Sequence, residues 1–251
     1  VLRDGKKQGA RVLAITNVVG SSVSREAHDV IYTLAGPEIA VASTKAYVTQ
    51  LVAFYILGLY FASLKETVSE EYVEEIKKEL LAIPEKIEAV LENQEGVKKY
   101  AAENYEQRDI YFLGRGVDYA VALEGSLKLK EISYIHCDAY AGGELKHGPI
   151  ALIDQGTAVI TLLTQEALKD KMVSNVREVS TRGGNIFAIA NQGDEIAKTV
   201  AEEVVYIPKT VDLLTPLVSV VPLQLLSYYV AKNKGCDVDK PRNLAKSVTV
   251  E

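Results

Sequence analysis

The sequence has little cysteine, no excess of positive charge and no long uninterrupted apolar run. Its 251 residues include two cysteines, Cys137 and Cys236, too few for a disulfide framework or a four-cysteine zinc site. The formal net charge of −6 argues against a nucleic-acid surface, because phosphate backbones are bound by concentrated Lys and Arg. The most apolar segment, 48–64, is interrupted by Gln50 and Gly58, so we expect it to be too short and mixed to span a membrane.

The beginning of the sequence also lacks two features. It starts at Val1 rather than at an initiator methionine, and no signal-peptide pattern follows. The low cysteine content makes a reduced, cytoplasmic compartment the default expectation. We therefore expect a fragment of a longer cytoplasmic protein, with one large domain or two medium ones.

An internal repeat organises the chain. Identical residues recur at a constant offset of 174 positions (191 − 17), among them Asn17 and Asn191, Tyr32 and Tyr206, and Gln50 and Gln224. No gap is needed to keep this offset. It indicates a duplicated domain rather than a short-period solenoid.

Each copy has two predicted strands, a short charged helix between them and a long apolar helix after them. In the first copy these elements are predicted at 12–16, 24–29, 30–34 and 43–64. In the second copy they are predicted at 186–190, 194–203, 204–207 and 213–234. The pattern predicts an α/β fold of two subdomains, each a doubly wound, mostly parallel sheet flanked by helices, flavodoxin-like or Rossmann-like.

The second copy contains an earlier half that the first copy lacks. Its elements are a strand at 109–113, the turn Gly114-Arg115-Gly116, a helix at 117–134 and a strand at 157–164. We therefore predict four parts: the C-terminal half of a first, incomplete subdomain at 1–66, a helical connector at 67–106, a second subdomain at 107–238 and a tail at 239–251. Pro84 is expected to break or kink the connector helices.

Three places concentrate reactive groups, and the first is a helix. Glu124, Lys128 and Glu131 are spaced by four and three residues, so they share one helical face. One interpretation is a solvated stripe of salt bridges. The other is a carboxylate general base beside an ammonium group that sets its proton affinity.

The second place is the segment 136–149, predicted to be a loop between a helix and a strand. Its potential ligands His136, Cys137, Asp138 and His147 match no standard zinc spacing, so we expect no metal site. His147 either orders the loop through a hydrogen bond or acts as a group that titrates near neutral pH.

The third place is the tail, which ends in the β-like run Val248-Thr249-Val250. Lys246 is either a solvated surface lysine or an amine on a mobile lid. An amine of the second kind can form a Schiff base with a sugar carbonyl.

Four segments together resemble the isomerase part of the glutamine–fructose-6-phosphate aminotransferase family. They are 36–46 (GPEIAVASTKA), 123–133 (LEGSLKLKEIS), 143–149 (GELKHGP) and 241–251 (PRNLAKSVTVE). Single segments recur in other sugar isomerase (SIS) proteins, whereas the four in this order are specific. The similarity covers the whole chain and implies two SIS subdomains, with no cofactor and no metal.

The resemblance also implies a role for each reactive group. Lys246 would be the amine that forms a Schiff base with open-chain fructose 6-phosphate, and His147 the ring-opening acid and base, contributed across a homodimer interface. Glu131 would move a proton between C1 and C2, with Lys128 as its electrostatic neighbour. The sugar would also contact Val41, Ser43 and Ala245.

By the same resemblance, the parent enzyme makes glucosamine 6-phosphate with ammonia from a glutaminase domain of the same chain. That domain is missing, and the repeat places the Ser/Thr-rich phosphate-binding loops before Val1. The segment 161–166 of the second copy lacks a Ser-x-Ser-Gly cradle. We therefore expect little or no activity from this chain alone.

Two other functions remain open. Some SIS proteins only sense phosphosugars, but they lack the combination of Glu131, His147 and Lys246. A related deglycase or amino-sugar isomerase would use the same fold and base, and the tail residues 244–249 favour the aminotransferase.

Overall fold

The computed structural model describes residues 1–247, and its contacts group the chain into two compact units, Val1–Lys77 and Lys78–Glu251. The predicted β-like run Val248-Thr249-Val250 lies outside the described residues. Each unit contains a parallel sheet accompanied by helices. The expected α/β class with two subdomains is therefore confirmed, while the four predicted part boundaries stay predictions.

The first unit holds a two-stranded parallel sheet. Its elements are α1 (Leu2–Lys7), β1 (Leu13–Thr16), α2 (Ser22–Glu26), β2 (Asp29–Tyr32), α3 (Lys45–Leu64) and the beginning of α4 (Glu70–Glu92). Helix α2 begins where the Ser21 hydroxyl accepts the backbone N–H of Ser24 at 3.3 Å, which satisfies a donor of the first helical turn.

Helix α3 is apolar but exposed within its unit. Phe54, Tyr60 and Leu64 each expose at least 60% of their area. By length and composition, α3 and Asp212–Asn233 could each cross a membrane, which corrects the expectation that 48–64 is too short and mixed. This is weak evidence for a membrane protein, because core helices of globular domains pass the same test and Asp212–Asn233 is mostly buried.

The second unit holds a five-stranded, wholly parallel sheet in the order β4-β3-β5-β6-β7. Its elements after α4 are α5 (Glu95–Asn104), β3 (Asp109–Gly114), α6 (Val117–Ser133), β4 (His136–Ala141), β5 (Ala158–Leu163), α7 (Lys169–Ser180), β6 (Asn185–Asn191), β7 (Glu203–Ile207) and α8 (Thr215–Asn233). Short 3-10 helices lie at Gly142–His147, Pro149–Leu152, Glu166–Leu168, Ala197–Thr199 and Asp212–Leu214. Numbered from its own first strand, the order is 2-1-3-4-5, the flavodoxin-like arrangement.

The core of the second unit forms on both faces of this sheet. Every residue of β5 is buried, as expected for a central parallel strand covered on both sides. Met172 and Val176 of α7 pack with Ile186 of β6 on one face. The next strand residue, Phe187, points to the other face, where its ring lies 4.5 Å from that of Tyr100 in α5.

The strand pairings reproduce the sequence repeat. Leu13 pairs with Asp29 in the first unit and Phe187 pairs with Glu203 in the second, so both partners are displaced by the same 174 positions. The duplicated domain is therefore confirmed. Strands β1 and β2 correspond to β6 and β7, and residues 1–77 contain no counterpart of β3, β4 and β5.

Two predictions about local structure in the second unit are wrong. The segment 136–149 is not a loop but contains β4 and two 3-10 helices. Strand β4 is an edge strand, so it retains polar side chains that obscure the strand pattern. The segment 194–203 is not an α-helix, because Asp194 Oδ1 accepts the backbone N–H of Ile196 and Ala197 at 2.8 and 3.2 Å and closes a tight turn.

Of the two effects predicted for Pro84, the break is wrong and the kink stays a prediction. Helix α4 continues through Pro84, and the connector helices separate instead at 93–94. An interior proline costs a helix about 3 kcal/mol. Buried Ile76, Ile83 and Val90, each seven residues apart, form an apolar stripe that offsets this cost.

Candidate active site

The carboxyl edge of the five-stranded sheet is where doubly wound folds bind ligands, at the point where the strand order reverses. In the second unit this point lies between β3 and β5. Gly114 ends β3, and a Cβ on it would lie 2.4 Å from the backbone carbonyl carbon of Asp118. Glycine is therefore required for α6 to begin this close to the strand.

The carboxylate of Asp118 lies at this point, where the strand order reverses. Its Oδ2 accepts the backbone N–H of Thr164 at 2.9 Å, and its Oδ1 accepts the Thr164 hydroxyl at 2.5 Å. Burial raises the pKa of Asp118 to about 6, against the opposing effect of hydrogen bonds from Thr164 and Gln165. The donors that would otherwise bind an anion here are used by the protein itself, which supports the expectation that 161–166 does not hold a phosphate.

The three residues Glu124, Lys128 and Glu131, here called the α6 trio, come together on one face of α6. Lys128 Nζ lies 2.8 Å from Glu131 Oε2 and 3.4 Å from Glu124 Oε1. The exposed side-chain fractions are 6% for Lys128, 12% for Glu124 and 23% for Glu131. Such burial rules out the solvated salt-bridge stripe and leaves Glu131 as the most accessible carboxylate.

The two carboxylates of the α6 trio share one ammonium group. Burial raises the pKa of Glu124, and the charge of Lys128 opposes that rise. Lys128 lies between the two carboxylates and fixes their positions through its two ion pairs. A carboxylate that is held in place and partly exposed, as Glu131 is, has the geometry that a general base needs.

Helix α6 ends at Ser133, and the residue that follows it, Tyr134, lies three positions after Glu131. Tyr134 has a left-handed backbone, with φ 62° and ψ 17°. The tail returns to this point: the Arg242 backbone N–H donates to Tyr134 Oη at 2.8 Å, and the Arg242 guanidinium carbon lies 4.2 Å from the ring centroid. The tail is thus held at the end of the helix that carries Glu131.

The described tail places Ala245 and Lys246 at the surface, three and four residues beyond Arg242. Before them, Asp237 Oδ1 accepts the backbone N–H groups of Asp239 and Lys240 at 3.0 and 2.9 Å. These bonds order the start of the tail as it leaves α8.

His147 lies at the end of the 3-10 helix Gly142–His147, and 74% of its side chain is exposed. Arg115 packs over this helix, because a Cβ on Gly143 would lie 2.7 Å from Arg115 Nη2. Arg115 Nη1 also donates to Asn175 Oδ1 of α7 at 2.9 Å. The helix is fixed while His147 faces solvent, and within residues 1–247 no hydrogen bond or ion pair joins His147 to the α6 trio.

The metal interpretation of segment 136–149 is not supported. His136 and Cys137 are neighbours on β4, so their side chains point to opposite faces. Burial raises the pKa of the Cys137 thiol to about 12, which keeps it from being the thiolate that a metal needs. Across residues 1–247, no group of three or more His, Cys, Asp and Glu side chains could hold a metal ion.

The other predicted contact residues lie in the first unit. Val41 and Ser43 are partly buried in the bend that precedes α3. Their contact with a sugar stays a prediction.

Sequence reasoning missed three residues: Arg115, Asp118 and Tyr134. Asp118 had a signal, an acidic residue in the first turn of a helix that follows a strand. Tyr134 had none, since glycine and asparagine are the residues expected in a left-handed helix end.

Known proteins resemble this chain along its length. A family model described as SIS domain matches residues 1–60 and 105–233. The glutamine–fructose-6-phosphate aminotransferases (isomerizing) of Clostridium tetani and Caldanaerobacter subterraneus are 66% and 60% identical over 250 residues. Each alignment covers 100% of this chain and 41% of the relative, so the chain spans about two fifths of the length of the curated relatives it matches.

A solved structure is similar as well. It is described as the C-terminal domain of glucosamine-fructose-6-phosphate aminotransferase from Francisella tularensis, with a TM-score of 0.91 and 40% identity. The match covers 96% of this chain and 68% of that chain.

Proposed function

The chain belongs to the SIS domain family, and from that membership we propose that it forms the isomerase part of a cytoplasmic glutamine–fructose-6-phosphate aminotransferase. Its substrate would be fructose 6-phosphate, its product glucosamine 6-phosphate, and its ammonia would come from a glutaminase domain of the same full-length protein. The observation that carries the proposal is the α6 trio, with Lys128 Nζ 2.8 Å from an accessible Glu131 carboxylate.

Lys246 starts the chemistry in this proposal. Its neutral amine attacks C2 of the open-chain sugar, and loss of water leaves an imine. The product nitrogen comes from ammonia, so ammonia must replace the lysine at C2 and release its amine. This balance leaves an imine of fructose 6-phosphate and a regenerated Lys246.

Glu131 then isomerises that imine. Its carboxylate removes a proton from C1, the electrons of that C–H bond form a C1=C2 bond, and the C=N electrons move to the nitrogen, which takes up a proton to give an enaminol. The C1 hydroxyl then loses a proton, which balances the one taken up by nitrogen, and the proton held by Glu131 goes to C2. The result is the aldehyde at C1 and the amine at C2 of glucosamine 6-phosphate. Lys128 holds Glu131 in place through the ion pair of 2.8 Å. Val41, Ser43 and Ala245 would contact the sugar while this occurs.

His147 opens the sugar ring from a second copy of the chain. Its exposed position on a fixed 3-10 helix supports a role in a partner's site within a homodimer. An imidazole can both accept and donate a proton, which suits proton transfer to the ring oxygen.

Borohydride trapping tests the lysine assignment. The full-length protein is incubated with fructose 6-phosphate, reduced and digested, and we expect a mass adduct on Lys246. Lys246→Ala should abolish it, whereas Lys240→Ala, a matched change in the same tail, should retain it. An adduct on another lysine, or undiminished trapping in Lys246→Ala, would refute the assignment.

Mixed dimers test the histidine assignment. Full-length His147→Ala and Lys246→Ala should each be inactive, and random mixing should restore about a quarter of the wild-type activity, because half of the dimers gain one intact site. No restoration under conditions that exchange subunits would place His147 in its own chain's site.

A further inference from the structure

The left-handed Tyr134 is unusual for its position. A bulky side chain is rare at positive φ, and such strain persists where the surrounding structure needs it. Here the strained residue is the first one after the helix that carries Glu131, and its side chain holds the tail that carries Lys246. We propose that Tyr134 is a positioning residue, which anchors the tail so that Lys246 is kept within reach of the sugar held at Glu131.

Two contacts of different kinds make this anchor. Tyr134 Oη accepts the Arg242 backbone N–H at 2.8 Å, and the ring lies against the Arg242 guanidinium at 4.2 Å. The first contact fixes the backbone of the tail, and the second adds a cation–π attraction. Asn243, the next residue, also has a left-handed backbone with φ 62°, so the chain turns directly after the anchor.

Chain length sets the reach of the anchored lysine. Lys246 lies four positions after Arg242, and a fully extended segment of this length spans at most about 14 Å. Glu131 precedes Tyr134 by three helical residues, about 5 Å along the axis. The anchor therefore confines the amine to the neighbourhood of the α6 trio, whereas a released tail would sample a much larger volume.

The role of Lys246 in this inference rests on the proposed function, but the anchor itself can be measured separately. Trypsin cleaves after Arg242, and the contact with Tyr134 protects that bond. In the full-length protein, Tyr134→Gly should accelerate cleavage after Arg242 about tenfold, since both contacts are lost. Glycine suits the left-handed backbone, so the melting temperature should not fall.

The catalytic consequence is read by borohydride trapping with fructose 6-phosphate. The rate of adduct formation on Lys246 should fall about tenfold in Tyr134→Gly and less in Tyr134→Phe, which keeps the ring but loses the hydrogen bond. Glu66→Gly is the matched control, because Glu66 also has a left-handed backbone (φ 53°) after a helix but lies in the first unit. That variant should leave both cleavage and trapping unchanged.

The possible failures are distinguishable. Cleavage in Tyr134→Gly at the wild-type rate would overturn the anchor, and faster cleavage with unchanged trapping would overturn its positioning role. An absence of any Lys246 adduct in the wild-type protein would instead overturn the proposed function, while the cleavage rates would still decide whether Tyr134 holds the tail.

Discussion

Helix α6 carries a carboxylate at its beginning and another in its C-terminal half, and the two differ in which groups satisfy the charge. At the beginning of the helix, Asp118 is 2% exposed and accepts hydrogen bonds from Thr164 and Gln165. In its C-terminal half, Glu131 pairs with Lys128 and keeps 23% of its side chain exposed. The Asp118 carboxylate is enclosed by other groups of the protein, whereas the Glu131 carboxylate is accessible to a small molecule.

Asp118 therefore has a structural role, whereas Glu131 is the carboxylate that we propose to be catalytic. Burial raises the pKa of Asp118 to about 6, and burial also raises the pKa of Glu124. A perturbed pKa is therefore not sufficient to assign catalysis, because internal networks perturb it as well. Access, and the arrival of the Lys246 tail at the end of the helix, favour the C-terminal carboxylate as the reactive one.

Glu131→Gln in the full-length protein should produce the largest effect. Loss of the proton-transferring base is expected to lower kcat about a thousandfold with an unchanged melting temperature. Glu124→Gln is the matched control, because it also contacts Lys128 but is less exposed, and its kcat should fall less than about tenfold. Equal losses in both variants, measured by glucosamine 6-phosphate formation, would remove the distinction within the α6 trio.

Asp118→Ala should lower the stability of the protein, whereas Glu131→Gln lowers kcat. Its removal leaves buried donors of Thr164 unpaired, so the free energy of unfolding should fall by about 3 kcal/mol. Asp170→Ala, an exposed aspartate in the first turn of α7, should cost less than about 1 kcal/mol. Denaturant titration measures both, and an Asp118→Ala protein of wild-type stability but low kcat would make the beginning of α6 catalytic.

Lys128→Met tests whether the ammonium group holds the two carboxylates of the α6 trio in place. Lys128 Nζ lies 2.8 Å from Glu131 Oε2 and 3.4 Å from Glu124 Oε1, so its removal frees both side chains. We expect kcat to fall about tenfold, because Glu131 is no longer fixed in position. Lys130→Met, a change at a half-exposed lysine two residues away, should leave kcat unchanged.

The smallest effect concerns the pH dependence of stability. The pKa of Asp118 is raised in the folded state, so its contribution to stability is present at low pH and is lost as pH rises through about 6. Relative to Asp118→Asn, the wild-type free energy of unfolding should fall by about 1 kcal/mol between pH 5 and 7. Parallel curves of unfolding free energy against pH for the two proteins would contradict a pKa of about 6 for Asp118 in the folded state.

The repeat and the strand and helix order could be predicted from sequence, because long apolar runs and a constant offset of 174 leave little ambiguity. Strand β4 could not, since an edge strand carries the polar residues of a loop. The burial of the helices could not be predicted from sequence either. Helix α3 and Asp212–Asn233 have the same mean hydropathy of 1.6, yet 6% of the first and 72% of the second is buried. What covers a helix is set by tertiary contacts that local sequence does not contain.

The candidate site also has one part that could be predicted from sequence and one part that could not. Spacing alone brought Glu124, Lys128 and Glu131 to one face, since helical geometry fixes that relation. The contact of Arg242 with Tyr134 spans 108 positions, so no local pattern predicts it. The tail residues 248–251 lie outside the described residues, and their part in the site stays a prediction.

The most direct test separates imine formation from proton transfer in one variant. Full-length Glu131→Gln is incubated with fructose 6-phosphate in the absence of glutamine, reduced with borohydride and analysed by mass spectrometry. Loss of a tritium label from C1 is followed in a parallel reaction that contains glutamine, because the proposed proton transfer acts on the imine made with ammonia. The account predicts a Lys246 adduct at least as abundant as in the wild-type protein, together with label loss slowed about a thousandfold. Label loss at the wild-type rate, or an adduct on a residue other than Lys246, would contradict it.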